Sequence, residues 1–196
     1  MPQLITPELV THIKKWANAL LFPQVFLVDD TLEPVDPQVF LGAFSLNESS
    51  GGKNNRPKHE DAYDMGGKYC KGKQLELIQL YSGDAACSYS SFQLMFICFY
   101  EMGFTPTPLQ AGNDEYAMQA VVKFFNVRIF KERHLGIPNF LGMAGDAYNS
   151  GNYKDKNVPA DYINKLVKNY HTTFKSELFD ITVDPNAHKP WEGNIK

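Results

Sequence analysis

The chain has 196 residues, of which 43% are hydrophobic and 21% charged, with a net charge of −3 at pH 7. That length suits one domain, residues 1–196, with enough apolar content to bury a substantial core. The charge gives no global attraction to nucleic acid or an anionic membrane, and no apolar run is long enough to span a bilayer.

Residues Met1 to Glu8 hold no basic region followed by an apolar core, so no signal peptide is expected. Thr6 and Pro7 mark a helix start, and Leu9, Ile13, Trp16, Ala17 and Leu20 recur at helical spacing up to Phe22-Pro23. Asp36-Pro37 marks a second start, with Val39, Phe40, Ala43 and Phe44 facing inward and an end between Glu48 and Gly52. Residues 53–87 read as a loop-rich lobe with room for a small hairpin, since polar turns fall at residues 53–57 and at Gly66-Gly67. Leu75 to Tyr81 fits a strand or a short helix equally.

From Ser88 to Gly103 a serine start and apolar residues on every face predict a buried central helix, with Gln93 its polar exception. A further helix starts near Asn113 or Asp114, with Met118, Val122, Phe125 and Ile129 inward. A shorter one runs from about Pro138 to Ala147–Gly151. Pro159 opens the last, carrying Ile163, Leu166, Val167, Tyr170 and Phe174 inward. The tail after Asp180 is expected to pack as an extended strap. The fold class is mainly α (α+β), a helical domain with a loop-rich or small β lobe.

The five histidines are scattered, with no His-Glu-x-x-His pair, no Gly-x-Ser-x-Gly elbow and no phosphate-binding glycine loop, so no metal and no cofactor is expected. Cys98 lies in an apolar run and reads as a buried thiol. Cys70 and Cys87 are free to pair, although reduced thiols fit better without a signal peptide. Ten tyrosines and 13% aromatic residues suit either a Phe- and Tyr-rich core or a groove for something amphipathic such as sugar rings.

Glu48 stands out. It falls on the last turn of its helix, where unpaired backbone carbonyls disfavour a second negative charge. Apolar walls that exclude water would raise its pKa further, and a glutamate protonated near neutrality can donate to a leaving oxygen.

Three segments then stand in a recognisable order: Glu48-Ser49-Ser50, Ser90-Ser91-Phe92-Gln93-Leu94-Met95 and Ala147-Tyr148-Asn149-Ser150-Gly151. They resemble the Glu-Ser-Ser/Gly, Gly-Leu-Met-Gln-Leu and Ala-Tyr-Asn-Ala-Gly motifs of soluble lytic transglycosylases and goose-type lysozymes. Tyr162, Val167 and Tyr170 are similar to the tyrosine-bearing helix that follows there. Ser88-Tyr89-Ser90 to Gly103-Phe104 also resembles a segment of phage-type N-acetylmuramidases of modular endolysins, and Arg56 to Glu60 is a faint counterpart of their Arg-Phe-Glu-Arg-His region. Ser90 and Ser91 depart from the glycine and leucine of the motif, and the gap from Glu48 to Gln93 is longer than in compact transglycosylases.

The resemblance implies a lysozyme-like enzyme cleaving the β-1,4 bond between N-acetylmuramic acid and N-acetylglucosamine in peptidoglycan glycan strands. Glu48 would be the acid, then base; Ser49, Gln93, Tyr148, Asn149 and Tyr162 would bind substrate, with the Tyr148 hydroxyl orienting Glu48 or the sugar. Asp61 and Asp64 are the candidates for a second carboxylate, set against a reading as solvated loop acids. A lytic transglycosylase needs no second carboxylate, because the substrate's own C6 hydroxyl closes a 1,6-anhydro ring. A chitinase-like enzyme and a catalytically silent wall-binding module are the alternatives. A chain made in the cytoplasm and acting on the wall would be a phage lysin, a virion-associated enzyme or an exported effector, with its delivery partner unknown.

Overall fold

The computed structural model describes residues 4–21, 35–129, 140–150, 160–179 and 181. Helix α1 (Pro7–Trp16) has Thr6 at its cap position and Pro7 at its start, and a one-turn 3-10 helix, Ala17–Ala19, continues it. Helix α2 (Pro37–Ser49) is capped by the Asp36 carboxylate, which accepts from the amides of Gln38 at 2.8 Å and Val39 at 3.1 Å. Nine of its thirteen residues are buried, so α2 is the helix that packs on nearly every face.

The main partner of α2 is α8 (Ala160–Phe174). They approach closely at Gly42, where a Cβ would fall 2.8 Å from Phe179 Cε2 and 2.9 Å from Thr173 Cγ2. The Asp36 amide donates to the hydroxyl of fully buried Tyr170 at 2.9 Å, tying the start of α2 to α8. At the other end Ser50 turns left-handed (φ 56°), and the Gly51 carbonyl accepts from the Thr6 amide at 2.9 Å. A Cβ on Gly51 would sit 2.4 Å from the Leu4 carbonyl oxygen, so this crossing of α1 and α2 requires glycine.

Three short strands make one antiparallel sheet in the order β1 (Lys58–His59), β2 (Cys87–Tyr89), β3 (Leu94–Met95). Lys58 pairs with Ser88, and Ser88 with Met95. The lobe supplies the single strand β1, while the hairpin itself is β2–β3 at residues 87–95, beyond the stretch where one was allowed for, and residues 75–81 belong to helix α3 (Lys73–Tyr81).

The central helix expected over Ser88–Gly103 is corrected. Only α4 (Phe96–Glu101) is helical there, because Ser90 and Gln93 adopt φ of 68° and 48° and turn the chain between β2 and β3. Ser88, Ser90 and Ser91 are buried in that turn, and the Ser91 amide and hydroxyl donate to the Asp114 carboxylate at 2.7 and 2.6 Å.

Helix α5 (Pro108–Ala111) carries a capping box between Thr107 and Gln110. Helix α6 (Asp114–Phe124) is capped by Asn113 and runs into a π-helical turn, Phe125–Ile129. Met118, Val122 and Phe125 are buried as their spacing predicts. Helix α7 (Phe140–Ser150) precedes α8, whose Leu166 and Tyr170 are buried with Ile163, Val167 and Phe174 half-buried. The chain is therefore mainly helical with a small sheet.

Cys70, Cys87 and Cys98 are free thiols, so the bridge open to Cys70 and Cys87 is absent. Burial pushes the Cys98 thiol up to about 12. Among the described residues no helix is long and apolar enough to cross a membrane. The Phe22-Pro23 stop, Pro138, Gly151, Pro159 and the strap after Asp180, apart from Ile181, lie outside the described residues, as does the side chain of Ile129.

Candidate active site

Glu48 occupies the last turn of α2, and one wall beside it is aromatic. Phe40, Phe44 and Phe125 meet with ring centroids 4.8–5.0 Å apart. Tyr148 of α7 stacks on Phe125 at 5.3 Å and 18°, and meets Phe44 and Phe124 edge-on at 5.2 and 5.6 Å. Tyr148 of this cluster lies within electrostatic reach of the Glu48 carboxyl group. Burial raises the pKa of Glu48 above 4.5 as the largest effect. Working against it are the hydrogen bond from Tyr162 and the positive fields of Lys165 and Lys58.

The Tyr162 hydroxyl, on the first turns of α8, donates to Glu48 Oε1. Burial and the Glu48 charge raise the Tyr162 pKa, so its hydroxyl keeps its proton and acts as a fixed donor. Lys165, one turn further along α8, donates to the Asn47 carbonyl at 2.8 Å. Its ammonium thus satisfies one of the carbonyls that α2 leaves open at its end. The Asn169 amide follows on the same face, 3.3 Å from Asn47 Oδ1.

The hydroxyl bonded to Glu48 is not that of the tyrosine expected to orient it. Tyr162, not Tyr148, holds the carboxyl group. The Tyr148 hydroxyl donates to the Phe92 carbonyl at 2.6 Å, and burial together with the Glu48 charge holds its pKa well above the usual range. Tyr148 therefore ties α7 to the turn between β2 and β3 within electrostatic reach of Glu48.

Two other expected groove residues are committed to the chain itself. Ser49 is buried, its hydroxyl bonded to the carbonyls of Ser45 (3.0 Å) and Ser91 (2.7 Å) while accepting from the Gly52 amide (2.9 Å). It fastens the end of α2 to the hairpin turn, its single donor shared between two carbonyls and its oxygen shut away from solvent. Gln93 donates through Nε2 to the carbonyls of Ser90 (3.0 Å) and Arg56 (3.2 Å), and its Oε1 accepts from Ser88 Oγ (2.9 Å). Its amide secures the turn. Asn149 lies exposed at the end of α7.

The lobe acids are organised around His59. Asp64 Oδ2 lies 2.9 Å from His59 Nε2, and Asp61 Oδ1 lies 3.3 Å from His59 Nδ1. The Met65 amide, at 2.7 Å, and then His59 lower the pKa of Asp64, which is an anion across the ordinary range. Asp61 is wholly exposed. Among the described residues no group of three His, Cys, Asp or Glu side chains is arranged to hold a metal ion.

Lys165 and Lys58 are the residues that sequence reasoning missed. Lys165 follows Tyr162 by three positions on a helix and so shares its face, a signal available once Tyr162 is placed. Lys58 reaches the site only through the pairing of β1 with β2, which leaves no local mark. No family model matches the chain, and no curated protein or solved structure matches it at a significant level.

Proposed function

We propose that the chain is a lysozyme-like glycosidase acting on peptidoglycan glycan strands at the bond between N-acetylmuramic acid and N-acetylglucosamine. The observation that carries this reading is the state of Glu48, a desolvated carboxyl group with a raised pKa beside the Tyr162 hydroxyl. Such a group gives a proton to the glycosidic oxygen as the C–O bond breaks, then takes one from the incoming nucleophile. Lys58 and Lys165 contribute positive field, which keeps the resulting carboxylate from being prohibitively unstable. No metal or cofactor takes part in these steps.

Hydrolysis with inversion needs a water on the far side of the sugar, and Asp61 and Asp64 are the lobe carboxylates proposed to hold it. A second reading, transglycosylation, is favoured by the engagement of Asp64 with Met65 and His59, which leaves it few free lone pairs. In that reaction the C6 hydroxyl of the substrate replaces water and gives its proton to Glu48. Mass spectrometry of muropeptides after digestion separates the two: reducing ends for hydrolysis, 1,6-anhydromuramic ends for transglycosylation. Intact glycan after prolonged digestion would reject both.

A further inference from the structure

A groove of about 900 Å³ lies where residues 55–57 face α5 and the start of α6. Its charged side chains are Arg56 and Asp84, both exposed and neither paired with an opposite charge among the described residues. Its most exposed apolar groups are aliphatic, and the half-buried Tyr116 also lines it. Leu109 is 87% exposed, with Pro108 beside it and Pro57 on the opposite lip. The capping box of α5 fixes the backbone that presents Leu109.

A sugar ring stacks on an open aromatic face, and these walls offer the half-buried Tyr116, whose ring packs against Phe104 at 6.1 Å. Tyr89 is only 2% exposed, its hydroxyl committed to the Asp84 carbonyl at 2.8 Å. A short peptide with a free carboxylate fits better. An unpaired guanidinium binds a carboxylate with two parallel hydrogen bonds. An acid on the other side receives an ammonium or amide, and small methyl side chains pack on proline and leucine. The groove is joined to the candidate active site by the Gln93 amide, which bonds the Arg56 carbonyl from the turn that holds Phe92.

We propose that this groove binds the peptide branches of the same peptidoglycan, with Arg56 receiving a peptide carboxylate and Leu109 packing against an alanine methyl. The inference rests on the glycosidase reading for its choice of peptide, so its test is binding and not cleavage. Titrating the full chain with a free wall tetrapeptide ending in D-alanine, followed by NMR, should give saturable shifts at Leu109, Tyr116 and Asn113. Arg56→Ala should weaken binding about tenfold or more, and Leu109→Ser should weaken it by a smaller factor. Absent binding, or binding unchanged by Arg56→Ala in a folded variant, overturns the proposal whatever the chain does to glycan. Cleavage of peptide-free glycan strands reports separately on the glycosidase reading.

Discussion

The Tyr162 hydroxyl donates a hydrogen bond to Glu48 Oε1, joining the first turns of α8 to the last turn of α2. Desolvation raises the pKa of the carboxyl group while this donor steadies its ionised form. The balance between these opposing effects sets the pH at which Glu48 loses its proton.

Glu48→Gln should abolish wall degradation, with a loss of about 10²–10⁴ in rate. It should also change how stability depends on pH. The folded chain holds the Glu48 proton more tightly than the unfolded chain, whose carboxyl titrates near 4.5. Stability from this group is therefore fully present below 4.5, is lost as pH rises through the raised folded value, and is level above it. The glutamine variant should lack that decline, which urea titrations at a series of pH values would detect.

Tyr162→Phe removes the donor that favours the carboxylate. The Glu48 pKa should rise further, moving the alkaline limb of the activity profile to higher pH. A profile unchanged in position would mean that the hydroxyl contributes nothing to the acid.

Gln93→Ala should destabilise the fold, because the hydrogen bonds made by its amide all go to the chain itself. About 1–3 kcal/mol is expected from losing them and leaving the Ser88 hydroxyl only its long bond to the Lys58 carbonyl at 3.4 Å. Chemical denaturation measures this directly.

Gly145→Val tests the seam between α7 and α8. Even a Cβ at this position would lie 2.8 Å from Leu166 Cδ2, 2.9 Å from Ile163 Cδ1 and 3.4 Å from Tyr162 Cε1. Overpacking there should cost about 1–3 kcal/mol and shift Tyr162 away from Glu48. Activity should therefore fall along with the melting temperature, and a variant losing neither would show that the seam yields freely.

The helices with clear stripes were legible because caps and periodicity agree: Asp36-Pro37 opens α2, and Met118, Val122 and Phe125 line α6 and the turn after it. Residues 88–103 were not. A run apolar on every side carries no period, and small serines bury as well in strands and turns as in a helix. The turn is made by Ser90 and Gln93 at positive φ, where no glycine announces it. At the site, the position of Glu48 on a helix end pointed to an acid. Nothing local distinguished Tyr148 from Tyr162 as its partner, or marked Ser49 as a fastening between α2 and the hairpin turn.

Glu48 and Tyr162 stand 114 positions apart. During synthesis, the glutamate leaves the ribosome long before the helix that supplies its partner. Until α8 docks, Glu48 lacks both the Tyr162 donor and the Lys165 charge. The surroundings of Glu48 are thus completed from a distant part of the chain, and any fragment ending before α8 carries the glutamate without that donor or that charge.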